Sequence, residues 1–149
     1  MVICISSERI TVRKRQKLSQ ELHDWVIEMA MERLYGKFRE AGRKIYTNPN
    51  QQKKFDVSGF YPDIVVYDPE TKKVTFIDEI ETEVGDVEKN QWEDFAKLGI
   101  AFSVTVPLEE VENAKKIIKG NKIGVTSLWS YKTDYPTTKT VEFKEETLS

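Results

Sequence analysis

Acidic residues stand at the ends of two apolar segments in the middle of this 149-residue chain. Asp63 immediately precedes the run 64–67, and Glu79 and Glu81 lie at and just beyond the end of a second run, 74–80. Both runs are rich in β-branched and aromatic residues, which is typical of strands, and the short segment between them contains aspartate and proline, as turns do. The pattern therefore predicts a β-hairpin with carboxylates at its open end.

The register of this hairpin decides which carboxylates meet. If the turn is centred near Thr71, Asp63 lies directly opposite Glu79, and Glu81 follows one step further along the same face. A slip of one residue would place Asp63 opposite Asp78 instead. In the first register, three carboxylates converge at one end of the hairpin.

Each run contains a stretch that is apolar on both faces, Ile64 to Val66 in the first and Phe76-Ile77 in the second. Such stretches are typical of strands inside a sheet that is covered on each side. Carboxylates at the ends of such strands are partly desolvated and close together, and this costs free energy unless a cation lies between them. Ligand sets made only of oxygen suit Mg²⁺ or Mn²⁺. The pattern indicates a divalent metal site, with solvent-exposed acids at the strand ends as the alternative.

The dipeptide Pro62-Asp63, the turn, and the tripeptide Glu79-Ile80-Glu81 together resemble the PD-(D/E)-x-K signature of the restriction-endonuclease-like nuclease superfamily. The resemblance extends over roughly residues 20–107, because the order of predicted elements is similar as well. One position differs: Glu81 stands where the signature usually has lysine. Some members of the superfamily also carry an acid there.

This resemblance implies a metal-dependent DNA endonuclease that hydrolyses phosphodiester bonds, with Mg²⁺ or Mn²⁺ as its cofactor. Asp63 and Glu79 would hold the metal, and Glu81 would be a further ligand or a base for the attacking water. Alternatively, the fold has lost catalysis and kept nucleic-acid or protein binding, with Glu81 as the trace of that loss. A homodimer is also expected, because the superfamily often cuts both DNA strands as a dimer.

A long helix is predicted over residues 19–41, with Ser19 as its N-cap and Gly42 as its stop. Its apolar residues recur at helical spacing and predict a buried stripe that begins with Leu18, Leu22, Trp25, Val26 and Met29.

Three glutamates, Glu21, Glu28 and Glu32, border this stripe within an arc of about 40°. In the superfamily that the chain resembles, the first helix often gives a glutamate to the metal site. Glu28 matches that role best, because core-spaced residues follow it, and Glu32 is the alternative. Glu28 is therefore the predicted third metal ligand. His23 falls on a different face and is interpreted as a surface or cap residue.

Six side chains are candidates for contacting DNA. Three belong to the densest basic patch of the chain, which is alternatively a flexible, soluble lead-in, and two belong to a polar, turn-rich loop at residues 48–54. The sixth is a glutamine that precedes an aromatic residue by four positions on a helix, which resembles an element that follows the acidic motif in several branches of the nuclease superfamily. These candidates are Arg13, Lys14, Arg15, Lys53, Lys54 and Gln91.

The remaining segments predict a single α/β domain over residues 1–149, with a core at about residues 20–131 and a mixed central sheet flanked by helices. Beyond the helix and hairpin above, the predicted elements are strands at 1–5, 43–47, 100–106, 123–131 and 138–143 and helices at 87–98 and 107–120.

The distribution of charge and the motifs that are absent bear on the class of function. Residues 1–60 carry 12 basic and 7 acidic side chains, whereas residues 61–149 carry 11 and 18. A phosphate-facing half and a metal-holding half would produce this asymmetry, and a solvated basic segment is an equally common cause. The single cysteine, Cys4, excludes an internal disulfide, and no apolar run reaches membrane-spanning length, so a cytoplasmic protein is expected. The sequence contains no P-loop, dinucleotide fingerprint or zinc-ligand spacing.

Overall fold

A β-hairpin and a long helix form the centre of the fold. The structure, a computed structural model, describes residues 2–49 and 53–148, with side chains described from residue 19 onward except at positions 35 and 37. The helices are α1 (Val2–Glu40), α2 (Asp86–Ala96) and α3 (Val111–Gly120), with a 3₁₀ turn at Leu108–Glu110. The strands are β1 (Lys44–Thr47), β2 (Ile64–Asp68), β3 (Lys73–Ile80), β4 (Ala101–Pro107), β5 (Ser127–Thr133) and β6 (Val141–Glu146).

The described strands form one mixed sheet of six strands, in the order β1-β2-β3-β4-β5-β6. β3 pairs with β4, and β4 with β5, in parallel, while the other neighbouring pairs are antiparallel. Parallel neighbours need a crossover connection, which α2 supplies between β3 and β4 and α3 supplies between β4 and β5. The predicted α/β class with a mixed, helix-flanked sheet is confirmed.

Both faces of the central hairpin are buried, as its apolar pattern predicts. Val65 and Ile77 belong to the core shared with α2 and α3, whereas Ile64 and Ile80 belong to a second core shared with α1. All four side chains have no exposed surface. Alternate residues of each strand therefore pack against helices on opposite sides of the sheet.

The hairpin adopts the first of the two registers considered. Ile64 pairs with Asp78 and Val65 with Ile77, and the same register continues to place Asp63 opposite Glu79. A bulge between Val66 and Tyr67 shifts the pairing by one residue near the turn. Because the bulge lies on the turn side, it leaves the register at the open end unchanged.

The N-terminal part of the chain differs from expectation. α1 begins at Val2, so the predicted strand at residues 1–5 and the predicted N-cap at Ser19 are both wrong. No glycine or proline occurs in residues 2–35, and nothing in the sequence therefore stops the helix from extending towards the N-terminus. Ser19 lies inside the helix, where its Oγ is 2.9 Å from Thr82 Oγ1.

Other boundaries differ by a few residues only. β5 begins at Ser127 rather than at residue 123, and a 3₁₀ turn precedes α3. β6 forms the predicted edge of the sheet beside β5. Within the described part of the chain, no helix is both long enough and apolar enough to cross a membrane.

Candidate metal centre

Three carboxylates meet where the hairpin ends. Asp63 stands just before β2, Glu79 lies near the end of β3, and Glu81 follows that strand. Each offers an oxygen, and these oxygens all lie within 4.8 Å of one another. The three residues are only 7 %, 6 % and 7 % exposed. The structure thus brings together the three acids that the hairpin register predicts.

Hydrogen bonds hold one oxygen of each carboxylate. The Asp63 N–H donates to Glu79 Oε1 at 3.0 Å, and the Ile80 N–H donates to Asp63 Oδ2 at 2.8 Å. The indole N–H of Trp92, on α2, donates to Glu81 Oε2 at 3.0 Å. The second oxygen of each carboxylate is therefore the natural candidate for binding a cation.

The backbone of Glu81 is tied to the neighbouring strands. Its N–H donates to the Thr105 carbonyl at 2.9 Å, and the Tyr131 hydroxyl donates to the Glu81 carbonyl at 2.7 Å. Thr105 belongs to β4 and Tyr131 to β5. Because two other strands restrain the backbone of Glu81 and Trp92 holds one of its carboxylate oxygens, the carboxylate has little freedom to swing away from the other two.

The electrostatics of this group favour either protons or a cation. Burial raises the pKa of the Glu79 carboxyl well above its usual range, and the charges of Asp63 and Glu81 raise it further. Burial and the Asp63 charge likewise raise the pKa of the Glu81 carboxyl. A hard divalent cation bound by carboxylate oxygens would remove this penalty, so the donor set fits Mg²⁺ or Mn²⁺.

His23 reaches this group from α1, contrary to its interpretation as a surface or cap residue. Its Nε2 lies 3.2 Å from Asp63 Oδ2, and its Nδ1 lies 3.3 Å from Asp24 Oδ1. Burial alone would lower the pKa of the imidazole, but the hydrogen bonds and charges of Asp63 and Asp24 raise it to about 9. A protonated His23 therefore donates from both ring nitrogens to the two carboxylates.

The predicted helix glutamate does not join the group. Glu28 is exposed, and so are its alternatives Glu21 and Glu32. The reason is the phase of the helix, because the side chains that pack deepest are Val26, Ile27, Ala30 and Leu34. His23 precedes Ile27 by four residues and shares its inward face, whereas Glu28 points outward.

A fourth buried acid of the hairpin, Asp78, lies on the opposite face of β3. It has no exposed surface, and its Oδ2 lies 3.7 Å from the Arg33 guanidinium of α1. The Thr105 hydroxyl donates to Asp78 Oδ1 at 3.1 Å, and Arg33 stacks 3.9 Å above the Trp129 ring. Burial raises the pKa of Asp78 to about 7, although the Arg33 charge opposes this. Sequence reasoning did not identify this pair.

One asparagine anchors the loop that leads into β2. Asn48 is buried, and its Nδ2 donates to the carbonyls of Phe55, at 3.0 Å, and Pro62, at 2.7 Å. Its Oδ1 accepts from the N–H groups of Lys54, at 3.0 Å, and Phe55, at 2.7 Å. A single side chain thus fixes both ends of the segment that precedes Asp63.

Replacing Asn48 should reduce the stability of the protein. Asn48→Ala should lower the free energy of unfolding by about 2 kcal/mol or more, because it leaves buried backbone groups without partners. Asn90→Ala, at an exposed position of α2, serves as the matched control and should change little. Urea denaturation of the two variants and the wild type measures the difference; equal midpoints for both variants would contradict the anchoring role.

The three carboxylates open into a cleft of about 900 Å³. Two of the predicted DNA-contacting residues, Lys53 and Gln91, line it together with His23. Lys54 is exposed and is not among the lining residues. The side chains of Arg13, Lys14 and Arg15 lie outside the described part of the structure, so their predicted contacts stay predictions.

Neither protein-family models nor curated protein sequences match this chain.

Proposed function

We propose that this protein is a metal-dependent nuclease that hydrolyses phosphodiester bonds in DNA. The observation that carries the proposal is the convergence of three buried carboxylates, Asp63, Glu79 and Glu81, in the lining of a cleft. The element order α1-β1-β2-β3-α2-β4 supports it, because it is the core order of the restriction-endonuclease-like fold that the sequence resembles. We assign the chain to that fold as part of the same proposal.

The residues have distinct roles in this chemistry. When bound, the divalent cation supplies an activated water and neutralises charge on the scissile phosphate. Asp63 and Glu79 would hold the cation, since each has one carboxylate oxygen that does not accept a hydrogen bond from the Ile80 or Asp63 N–H group. Glu81, oriented by Trp92, serves as a further ligand or as the base that accepts a proton from the water.

Two basic side chains in this cleft offer the positive charge that the usual lysine of the signature supplies. A carboxylate at position 81 cannot supply positive charge, but His23 and Lys53 are the basic side chains among the described residues that line the cleft. His23 contacts Asp63 directly and fixes its orientation. Lys53 is exposed and available to a phosphate oxygen.

A second candidate function is that of a binding module, which binds the metal ion and DNA but does not hydrolyse the DNA. The presence of Glu81 at the lysine position favours it. Both functions require the metal and DNA binding, so only cleavage separates them.

The deciding experiment is incubation with plasmid, branched and single-stranded DNA in Mg²⁺ or Mn²⁺, with EDTA as the metal-free control. The nuclease proposal expects cleavage that depends on the metal. DNA binding without cleavage would favour the binding module. Absence of both binding and cleavage would reject both candidates.

A further inference from the structure

Two aromatic side chains that line the cleft with the carboxylates keep part of their surface exposed. Phe60 and Tyr61 stand three and two residues before Asp63, and each is 36 % exposed. Both line the same cleft as the three carboxylates. Burying apolar surface is favourable, so exposed rings at the mouth of a cleft indicate a surface that a ligand covers.

A tight turn fixes the position of these rings. The Val57 N–H donates to the Phe60 carbonyl at 2.8 Å, and the Phe60 N–H donates back to the Val57 carbonyl at 3.0 Å. The two residues between them, Ser58 and Gly59, have φ values of 52° and 87°, as two-residue hairpin turns require. On the other side, Asn48 holds the Pro62 carbonyl. The rings are thus preorganised.

Each ring has a partner on one side. The Phe60 ring meets Phe95 edge to face, with 5.6 Å between centroids, and Phe95 in turn contacts the buried Phe102. The Lys53 ammonium lies 5.7 Å from the centroid of the Tyr61 ring. Phe60 consequently packs against the hydrophobic core, while Tyr61 has the positive charge of Lys53 beside its ring.

We propose that Phe60 and Tyr61 form a platform on which an unpaired nucleobase stacks, so that the substrate is single-stranded DNA or a branched DNA with unpaired nucleotides. The inference rests on the proposed function, because it places the phosphate next to that base at the cation site that Asp63 and Glu79 would form. Three residues span at most about 11 Å, so the platform and the carboxylates lie within reach of one nucleotide and its neighbour.

Stacking explains why the platform selects unpaired DNA. Every base has two π-faces, and in single strands these faces are available to aromatic side chains. In a duplex, neighbouring bases already cover them, so the platform has no partner there. Lys53 beside Tyr61 would contact the backbone phosphate of the stacked nucleotide.

The test measures fluorescence anisotropy of a labelled oligonucleotide, single-stranded or as a blunt duplex, in Ca²⁺ with the whole chain. Tyr61→Leu and Phe60→Leu keep an apolar side chain but remove the π-face. Each should weaken single-strand binding by about 5- to 150-fold and leave duplex binding unchanged. Tyr46→Leu is the matched control, because Tyr46 is equally exposed but does not line the cleft.

A substrate series covers the case in which Phe60→Leu fails to fold. In this series each oligonucleotide carries one abasic nucleotide, at a different position. One of these oligonucleotides should bind the wild type more weakly than the intact strand does. The same oligonucleotide and the intact strand should bind Tyr61→Leu equally well. Unchanged single-strand affinity of Tyr61→Leu, or an equal loss on duplex, would overturn the platform. If the platform is rejected in this way but Glu79→Gln still abolishes cleavage, the proposed nuclease function stands without the platform. If the wild-type protein binds neither the single-stranded nor the duplex oligonucleotide, both the platform and the proposed function are rejected.

Discussion

Asp63→Asn and Glu79→Gln should each reduce metal-dependent DNA cleavage by at least about 100-fold, because each removes a charged oxygen from the cation site. Both substitutions keep the shape of the side chain and an oxygen that can accept the observed hydrogen bond from Ile80 or Asp63. The fold and the affinity for DNA should therefore change little. Initial cleavage rates in Mg²⁺ and in Mn²⁺, with binding measured in Ca²⁺, provide the comparison.

A matched substitution separates the site from a general effect of charge. Glu70→Gln removes an exposed acid in the turn at the opposite end of the hairpin, and its cleavage rate should equal that of the wild type. Wild-type rates in either Asp63→Asn or Glu79→Gln would show that these residues do not carry the chemistry.

Millimolar Mn²⁺ should raise the melting temperature of the protein by about 5–10 °C at pH 7 to 8. An ion that binds only the folded state stabilises it by about 2.7 kcal/mol at a hundredfold excess over its dissociation constant. For a domain of this size, that free energy corresponds to several degrees. Differential scanning fluorimetry with and without Mn²⁺ measures the shift.

The variant Glu79→Gln should alter both melting curves. Without metal it should melt at a higher temperature than the wild type, because one of three buried, mutually repelling carboxylates has become neutral. With Mn²⁺ it should show a smaller shift, because a ligand is missing. A full Mn²⁺ shift in this variant would place the ion elsewhere.

The melting temperature of the metal-free protein should fall as the pH rises from 6 to 8. The raised pKa values of Glu79 and Glu81 mean that the folded state holds more protons than the unfolded state, so their effect on stability becomes less favourable above pH 4.3 or so. His23, with its pKa raised to about 9, adds stability that is complete below about pH 6.5 and is lost as the pH rises through 9. Both effects have the same sign. The Mn²⁺ shift should accordingly be larger at pH 8 than at pH 6.

The sequence predicted the hairpin well because several local signals agree there. The apolar runs, the Asp-Pro turn and the period of two limit the hairpin to two neighbouring registers. The structure adopts the one centred near Thr71, which places Asp63 opposite Glu79. The bulge at Val66/Tyr67 could not be foreseen, but it lies on the turn side and leaves the register at the site intact.

The helix contribution was assigned to the wrong residue because helical phase is set by packing. The predicted stripe centres on Met29 and places Glu28 at its border. The observed buried face centres on Ile27, Ala30 and Leu34, so it turns Glu28 outward and brings His23 towards the site. A difference of one residue rotates a helix face by about 100°. The spacing of His23, Ile27, Ala30 and Leu34 was the available signal.

Contacts between segments that are distant in sequence could not be predicted from local sequence patterns. Asn48 reads as an ordinary turn residue, and its hydrogen bonds to residues 54, 55 and 62 exist only once the loop has closed. Arg33 and Asp78 are 45 residues apart in sequence, and their pairing depends on how α1 crosses the sheet. No periodicity in the sequence encodes either arrangement.

Calorimetric titration of Mn²⁺ into the metal-free protein tests the central claim most directly, namely that the buried carboxylates hold a divalent cation. The wild type and Glu70→Gln should give the same saturable isotherm, with at least about one ion bound per chain. Asp63→Asn and Glu79→Gln should bind at least about tenfold more weakly, since even indirect partners of a metal site typically contribute that much. Identical isotherms for the wild type and Glu79→Gln, or no binding by the wild type at millimolar Mn²⁺, would contradict it.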